Sequence, residues 1–521
     1  MRLKRSNARL AAAATDGNDR LVGTNQAEIL AGEAGDDWIY GRGGDDTLDG
    51  GDGDDRLDGG LGFDRLNGGL GNDTYVLATA GDRVVEALDA GRDTVRAAIS
   101  YTLTANVETL LLVGGALDGT GNGLANLIVG NSAANRLDGR GGADRMSGGD
   151  GDDRYLVDDL GDIVREAADG GSDTVESRVS HRLAANVENL TLLGARAIDG
   201  TGNSLFNHIV GNSADNVLDG GVPAEDAHGG NDILEGGAGN DTYVLHMIPN
   251  TSGSSDTIII EAAGQGIDTI LTDVRLQGDL PLNVENLTMF GNEDVDADGN
   301  GLSNRIVGNG RTNALDGKGG EDTLIGGAGD DIYMNVNAAG ADTVVERAGG
   351  GHDAVYAVGT YVLAANVEDC FAWSRDVKFT GNGLDNYMGG SAGEDVLVGG
   401  AGEDWLSGRA GSDVLTGGTG TDKFSFSYVP DGQVDRITDF HAGSEKIVLW
   451  NDFIPAGPAG SLAAGAFRTG TAAQDADDRI IYNKANGNIW FDADGNGSGA
   501  AVLLARVDAG LALSHTNFEV V

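Results

Sequence analysis

The stretch GGDGDDRLDGG, from Gly50 to Gly60, decides the fold of this chain. It holds five glycines, four aspartates and one leucine, a composition that suits neither a helix nor an ordinary strand. Its nine-residue pattern runs without a gap from residue 32 to residue 76, as GEAGDDWIY, GRGGDDTLD, GGDGDDRLD, GGLGFDRLN and GGLGNDTYV. A fixed period this short indicates a solenoid, in which each repeat stacks on its neighbours.

The shared pattern is G-G-x-G-x-D-x-U-x, where U is a large apolar residue. Glycines permit the backbone angles of a tight turn, and x-U-x forms a short strand that sends U to one face. Two repeats are expected to complete one turn of a parallel β-roll. The U positions of the first block are Ile39, Leu48, Leu57, Leu66 and Tyr75.

The sixth position of every repeat is aspartate. Calcium takes six to eight oxygen ligands, and a carboxylate beside exposed glycine carbonyls supplies such ligands. We therefore expect calcium ions between loops one turn apart, ligated from both. The candidate ligands in the first block are Asp37, Asp46, Asp55, Asp64 and Asp73, with Gly35, Gly44, Gly53 and Gly62.

The same pattern returns in four later blocks. Their candidate ligands are Asp144, Asp153, Asp232, Asp241, Asp322, Asp331, Asp395, Asp404, Asp413, Asp422, Gly402 and Gly411. Each block ends with an aromatic residue at U, so that a larger repeat of 80 to 91 residues follows Tyr75, Tyr155, Tyr243, Tyr333 and Phe424. We interpret the ring as closing a narrow core rather than as a platform for a ligand.

The segments between blocks are rich in Val, Ile, Leu and Thr with partial alternation, which predicts strands. Each is followed by an asparagine version of the repeat, with Asn135, Asn216 and Asn313 in place of the aspartate. Asparagine bonds to nearby backbone in turns, so these coils should be held without calcium or with weaker calcium. An insertion, VPAEDAH at Val222–His228, is expected to be a neutral surface loop.

Glycine becomes rarer in the last hundred residues, where 421–450 alternates like antiparallel strands. DADGNG from Asp492 is either a calcium turn or, as we favour, an Asx-rich hairpin. The predicted fold is all-β, a calcium-loaded parallel β-roll or β-helix solenoid with a small antiparallel C-terminal domain. The expected segments are a leader at 1–15, a first block at 16–78, four larger repeats at 79–158, 159–246, 247–336 and 337–426, and a C-terminal domain at 427–521.

The composition argues against several classes of function. The chain has 521 residues and a formal net charge of −48, which opposes binding to nucleic acid or to an anionic membrane. The self-repulsion of such a chain opposes compaction, and bound divalent cations would relieve it. The single cysteine, Cys370, allows no internal disulfide and is expected to be a buried small hydrophobe. No apolar run reaches the length of a membrane span, and the N-terminal residues are too weakly apolar for a signal peptide.

On these repeats the chain resembles the RTX (repeats-in-toxin) proteins of Gram-negative bacteria. The region after Asp422, with DRITDF and a terminal NFEVV, resembles the C-terminal domain of serralysin-type proteases. The resemblance implies export by the type I secretion machinery with an uncleaved C-terminal signal. Calcium is scarce inside the cell and abundant outside, so it would act as a folding ligand after export.

Nothing in the sequence indicates catalysis. The repeats begin by Asp16, the zinc-protease motif H-E-x-x-H is absent, and the histidines, such as His181, His228 and His441, are scattered. GGSAG around Ser391 matches a nucleophile motif only formally, because it lies inside a roll repeat. We expect a secreted, extracellular, non-catalytic protein with a matrix, surface-layer or adhesive role and a polysaccharide as candidate partner. The alternative is a carbohydrate-active lyase or epimerase that uses the inter-block coils.

Overall fold

A computed structural model describes residues 9–10, 14–221, 232–246, 254–255, 257–338, 340–428 and 432–521. The insertion at Val222–His228 lies outside the described residues. The chain divides into two compact units, one comprising Met1–Ser252 with Asp256–Asp268 and the other Gly253–Ser255 with Thr269–Val521. Each is a parallel β-solenoid, which confirms the predicted all-β fold.

The coil repeat is eighteen residues, so that two nonapeptides complete one turn. Leu57 pairs in parallel register with Ile39 on one side and Tyr75 on the other, and all three are fully buried. The intervening U residues, Leu48 and Leu66, pair with each other in a different sheet and are also fully buried. Successive U side chains therefore fill the core from opposite walls.

The first unit contains four parallel stacks of strands. In spatial order, the first holds Arg9–Leu10, Glu28–Ala31, Thr47–Asp52, Arg65–Leu70 and Arg83–Val85. The second holds Arg20–Val22, Trp38–Tyr40, Arg56–Asp58, Thr74–Leu77, Thr94–Ala97, Thr109–Leu112, Leu127–Val129, Arg145–Ser147 and Ile163–Arg165. The third holds Tyr101–Thr102, Asp118–Thr120, Arg136–Asp138, Arg154–Val157, Thr174–Ser177, Asn189–Leu192, His208–Val210, Ile233–Glu235 and Ile258–Ile260. The fourth holds His181–Arg182, Gly200–Thr201, Val217–Asp219 and Thr242–Leu245.

The second unit continues the same architecture. One stack holds Thr269–Thr272, Asn286–Met289, Arg305–Val307, Thr323–Ile325 and Thr343–Val345, and Ser254–Ser255 pairs separately with Arg275–Leu276. Another holds Ala297–Asp298, Ala314–Asp316, Ile332–Val336, Ala354–Ala357, Asp369–Ala372, Tyr387–Gly389, Trp405–Ser407, Lys423–Phe426, Lys446–Leu449, Phe518–Val520 and Gly460–Ser461. The last holds Thr360–Val362, Lys378–Thr380, Val396–Ala401, Val414–Thr419, Asp435–Ile437, Val502–Arg506, Asn488–Phe491, Ile480–Asn483 and Phe467–Thr469. Two single-turn 3-10 helices span Ala464–Ala466 and His515–Asn517.

The segments between the repeat blocks are coils of the same solenoid. Val95 pairs in parallel with Leu110, which pairs in turn with Ile128, and all three are fully buried. Cys370 is likewise fully buried in such a coil, between Val355 and Met388. Within the described residues, neither helix is long and apolar enough to cross a membrane.

The C-terminal region differs from the prediction at its start. Lys423–Phe426 pairs in parallel with both Trp405–Ser407 and Lys446–Leu449, so the expectation of antiparallel strands there is wrong. Alternating side chains arise in any strand with one buried face, whichever way its neighbour runs. The antiparallel sheet lies further on, where Asn488–Phe491 pairs with both Ile480–Asn483 and Val502–Arg506.

The DADGNG turn joins two of these antiparallel strands. Its Asp494 carboxylate accepts a hydrogen bond from the backbone N–H of Gly499, at 2.9 Å. The backbone N–H of Asp494 donates in turn to the Asp492 carboxylate, at 3.3 Å. Side-chain to backbone bonds of this kind are those of an Asx-rich hairpin, the alternative favoured on sequence.

Candidate metal centres

The aspartates at the sixth repeat position form a buried ladder along the coil. Asp55 is 2% exposed, and its Oδ1 accepts a hydrogen bond from the backbone N–H of Asp37, at 2.7 Å. The backbone N–H of Asp55 donates to Oδ1 of Asp73 in the next turn, at 2.8 Å. Each carboxylate therefore has one oxygen fixed by the turn that precedes it.

The second carboxylate oxygen is different. Among the described residues, Oδ2 is buried and accepts no hydrogen bond in twelve of the fifteen predicted aspartates: Asp37, Asp46, Asp55, Asp64, Asp73, Asp144, Asp153, Asp241, Asp331, Asp404, Asp413 and Asp422. The same holds for Asp82, Asp93, Asp173 and Asp353, which the sequence analysis did not select. A buried polar atom without a partner costs about 1–3 kcal/mol. A repeated set of such oxygens points to a bound cation.

The orphaned oxygens converge with glycine carbonyls of the next turn. A Cβ built on Gly50 would lie 2.2 Å from Oδ2 of Asp55 and 2.4 Å from the carbonyl oxygen of Gly68. Similar pairs of oxygens surround Gly32, Gly41 and Gly399. Oxygen donors from two successive turns thus face one small space, which suits a hard cation such as calcium.

The six predicted glycines occupy the fourth repeat position. All have positive φ angles, between 106° and 147°, as a left-handed turn requires: Gly35, Gly44, Gly53, Gly62, Gly402 and Gly411. A Cβ on Gly53 would lie 2.3 Å from the carbonyl oxygen of Gly35, one turn earlier. These glycines allow the turns to stack closely. The sequence analysis did not select the glycines at the first repeat position, such as Gly50, which lie beside the aspartate. The glycine that opens each repeat marks them.

One predicted aspartate, Asp395, has other surroundings. Asp395 is satisfied at both oxygens, because Oδ2 accepts the backbone N–H of Ser391 at 2.5 Å and Oδ1 accepts that of Val377 at 2.8 Å. The Ser391 hydroxyl also bonds this carboxylate, inside a coil turn rather than a strand-to-helix turn. Asp232 and Asp322 keep the geometry of the ladder: each accepts a backbone N–H at Oδ1, both at 2.8 Å, and Oδ2 lies beside Gly220 and Gly317, respectively.

In the asparagine coils, an amide nitrogen that donates hydrogen bonds stands in place of the carboxylate oxygen that has no partner. In Asn135, Oδ1 accepts the backbone N–H of Asn131 at 2.8 Å, and Nδ2 donates to the carbonyl oxygens of Ala116 and Leu117 at 2.9 and 3.2 Å. Asn216 and Asn313 likewise donate Nδ2 to a carbonyl of the preceding turn. Similar asparagines that the sequence analysis did not select are Asn126, Asn207, Asn304 and Asn386. These turns need no cation to satisfy their side chains.

Among the described residues, four carboxylate triads occur, one at the end of each of the first four blocks. Each contributes one oxygen per residue, and these oxygens lie within 4.8 Å of one another: Asp73, Glu86 and Asp93; Asp153, Glu166 and Asp173; Asp241, Glu261 and Asp268; Asp331, Glu346 and Asp353. Sequence reasoning selected only the first member of each. In the first inter-block segment the other two members are the glutamate of VVEA (Glu86) and the aspartate of GRDTV (Asp93).

The block-ending tyrosine reaches its triad. A Cβ on Gly326 would lie 2.3 Å from both Oδ2 of Asp331 and Oε1 of Glu346, and 2.4 Å from the hydroxyl oxygen of Tyr333. The Tyr333 hydroxyl donates to Glu346, and equivalent contacts join Tyr75 to Glu86 and Tyr243 to Glu261. The buried ring therefore fills the core, as expected, and its hydroxyl also orients a carboxylate.

Burial and mutual repulsion raise the pKa values of the three carboxyls in the first triad. Desolvation is the larger cause, and it raises the pKa of Asp73 to about 8, of Glu86 to about 7 and of Asp93 to about 6. Three like charges this close cannot all ionise at low cost. A divalent cation would stabilise the fully ionised form.

The inter-block coils hold the triads in place. In the NVE motif, Nδ2 of Asn106 donates to the carbonyl oxygen of Glu86 at 3.1 Å, and Val107 is fully buried. Oε2 of Glu108 accepts the backbone N–H of Asp93 at 2.8 Å. Equivalent bonds involve Asn186, Glu188, Asn366 and Glu368. The larger repeat thus combines a repeat block with the coil that supports its triad.

The fifth block lacks this arrangement among the described residues. Its terminal aromatic residue is Phe424, which has no hydroxyl and packs against Phe440 with ring centroids 5.9 Å apart. Burial, with repulsion from Asp435, raises the pKa of Asp413 to about 8. This block therefore contributes aspartate–glycine sites only.

A substitution inside one repeat tests the aspartate–glycine site. A Cβ on Gly139 would lie 2.1 Å from Oδ2 of Asp144, whereas one on Gly141 would have no atom within 4 Å. We expect Gly139→Ala to lower the free energy of unfolding in calcium by about 1–3 kcal/mol, and Gly141→Ala to change it by less than about 0.5 kcal/mol. Chemical denaturation at saturating calcium measures both, and equal effects would contradict the site.

Acid should stabilise the calcium-free fold. Burial raises the pKa of carboxyls such as Asp55 and Asp73 to about 6 and about 8. Between about pH 4 and these values, the folded chain keeps protons that the unfolded chain has released. Stability therefore falls as the pH rises, and this contribution is complete near pH 4 and lost through about pH 6 to 8. With calcium chelated, circular dichroism should show more strand near pH 5 than near pH 8.5. The difference should persist in high salt, which screens surface repulsion; its disappearance would contradict the burial argument.

Comparison with known families agrees with this geometry. The model of the RTX calcium-binding nonapeptide repeat matches residues 14–48, 22–57, 49–79, 120–155, 226–244, 298–334 and 389–424. The chain carries RTX calcium-binding repeats. These matches include every repeat block, and the RTX repeats account for the buried aspartate ladder. A search of curated proteins gave no match.

Proposed function

We propose that this is a secreted, non-catalytic RTX protein that folds on extracellular calcium and serves a matrix, surface-layer or adhesive role. The observation that carries the proposal is the repeated orphaned Oδ2, which a calcium ion would satisfy. A chain with a net charge of −48 and such buried carboxylates is poorly suited to fold where calcium is scarce. Extracellular modules bind calcium at about 10⁻⁴–10⁻³ M, which matches that environment.

The route that we propose is type I secretion with an uncleaved signal in residues 427–521. The support is the resemblance of the terminal residues to serralysin-type domains. The test expresses the full chain with and without a type I transporter in a Gram-negative host. We expect the protein in the medium only with the transporter, at its full mass; transporter-independent export or a shortened mass would contradict the route.

A carbohydrate-active enzyme is the second candidate. The observation that favours it is a cleft in the second unit that contains Arg375 and Arg409, since lyases and epimerases on uronic acids need cations near the sugar carboxylate. A screen of uronate polymers with the calcium-loaded protein decides between the two. Unsaturated or epimerised products would overturn the non-catalytic proposal, and unchanged polymers would support it.

A further inference from the structure

An aromatic ladder lies on the outer face of one sheet in the second unit. It contains Tyr356, Phe371, Tyr387 and Trp405, from four neighbouring strands. Successive ring centroids are 5.1, 5.6 and 5.9 Å apart. Nζ of Lys423, on the next strand, lies 5.0 Å from the Trp405 ring centroid and continues the row. Because Nζ of Lys423 also lies 3.2 Å from Oε2 of Glu519, the row is distinguished by its stacked rings and not by net positive charge.

Trp373 extends the ladder sideways. It packs edge-on against Tyr356, with centroids 5.7 Å apart and ring planes at 89°. This contact fixes the indole, yet 55% of the residue is exposed. Burying a large aromatic side chain is normally favourable. A tryptophan that is held in place beside other rings and still exposed is therefore typical of a binding surface.

Trp373 also lines an open cleft of about 520 Å³, within the range of about 300–1,000 Å³ that small-ligand sites occupy. Its other lining side chains include Arg375, Ser391, Arg409 and Tyr428. The Ser391 and Tyr428 hydroxyls bond to Asp395 and Asp435, so the cleft offers chiefly an aromatic ring and two guanidinium groups. These are the groups that a polar, ring-shaped ligand with negative charge requires.

Both arginines are exposed, and neither forms an ion pair with any residue that the structure describes. A Cβ on Gly389 would lie 3.0 Å from Cδ1 of Phe371 and 3.6 Å from Nη2 of Arg409. The Arg409 guanidinium thus lies beside the ladder and close to Gly389, which has no side chain to fill that space. The positive charge of the cleft and the stacked rings form one continuous surface.

We propose that this surface binds an acidic oligosaccharide, a short chain of uronic acid sugars. Guanidinium groups pair with carboxylates through two parallel hydrogen bonds, which matches Arg375 and Arg409. The C–H face of a pyranose packs on the electron-rich face of an aromatic ring such as Trp373. This inference rests on the proposed adhesive or matrix role and names its partner.

A single-stranded nucleic acid also combines stacking with negative charge. Such binding depends on cations that neutralise several successive phosphates, and it weakens when the protein is strongly anionic. The cleft offers two arginines in a chain of net charge −48. A sugar chain gains much of its binding from ring packing and hydroxyl contacts, so it suits this surface better.

Isothermal titration calorimetry on the calcium-loaded full chain tests the proposal. The probe is a short oligogalacturonate, with a neutral cello-oligosaccharide and a single-stranded DNA oligonucleotide of similar length as comparisons. We expect only the oligogalacturonate to bind. Trp373→Ala and the double variant Arg375→Gln/Arg409→Gln should each weaken it by about tenfold or more, which is 1.4 kcal/mol or more.

Two control variants match these changes in the same unit. Phe453→Ala removes a ring that is 42% exposed, and Arg436→Gln removes an exposed strand guanidinium outside the cleft; both should bind normally. No binding, equal binding of the neutral sugar, tighter binding of DNA, or full binding by the cleft variants would overturn the proposal. Circular dichroism on the same samples reports folding, so a failure here is distinguishable from a failure of calcium-driven folding.

Discussion

Chelating calcium at neutral pH should convert most of the strand signal of this protein into that of an unfolded chain. Twelve predicted aspartates have a buried oxygen without a partner among the described residues. At about 1–3 kcal/mol each, these oxygens together would cost about 12–36 kcal/mol, which equals or exceeds the net stability of about 5–15 kcal/mol that a typical domain has. The fold therefore requires a ligand that binds the carboxylates in the native state only.

Mass action gives the stabilisation that bound calcium adds to the folded state. Each site at tenfold its dissociation constant adds about 1.4 kcal/mol, so about ten sites add on the order of 14 kcal/mol. Circular dichroism during a calcium titration should show a cooperative transition. Magnesium is the control, because it requires a smaller octahedral site and retains its waters. A chain that is equally folded in chelator and in calcium would contradict this expectation.

The second large effect concerns the carboxylate triads. Glu86→Gln with Glu166→Gln should remove two of the three calcium ions that the triads of the first unit are expected to hold. Calcium affinity rises with the charge of the ligand set, and each triad offers three carboxylates where an ordinary repeat site offers fewer. Glutamine keeps the size of the side chain, and at position 86 it can still accept the hydrogen bond of the Tyr75 hydroxyl, so the coil itself should be preserved.

Equilibrium dialysis with calcium measures this loss directly. The matched control is Asp89→Asn with Asp169→Asn, which removes the same two charges from the same loops. Both residues are exposed, with φ angles of 57° and 60° that asparagine tolerates. We expect the control to keep the bound calcium of the unaltered chain and the glutamine variant to bind two ions fewer. Equal stoichiometry in both would show that the triads hold no calcium.

The solenoid could be predicted because its information is local. Each nonapeptide carries its own turn glycines, its own aspartate and its own core residue, such as Leu57, so a nine-residue window is sufficient. The period also fixed the eighteen-residue turn. The direction of the strands at 423–449 could not be predicted in this way, since alternation reports burial of one face and nothing about the neighbour.

The triads could not be predicted from the nonapeptide pattern alone. The backbone N–H of Asp73 bonds to Asp93, 20 residues on, whereas that of Asp241 bonds to Asp268, 27 residues on, so the spacing of the partners is not constant. Only the stacking of turns brings these carboxylates together. The aromatic ladder is hidden for the same reason: Tyr356 and Phe371 become neighbours through coil register alone.

Anomalous X-ray scattering from crystals of the calcium-loaded protein tests the central claim most directly. The account predicts anomalous peaks between Oδ2 of Asp55 and the carbonyl oxygen of Gly68, and at the triad of Asp73, with none beside Asn135. Peaks absent from the aspartate coils, or present equally in the asparagine coils, would contradict it.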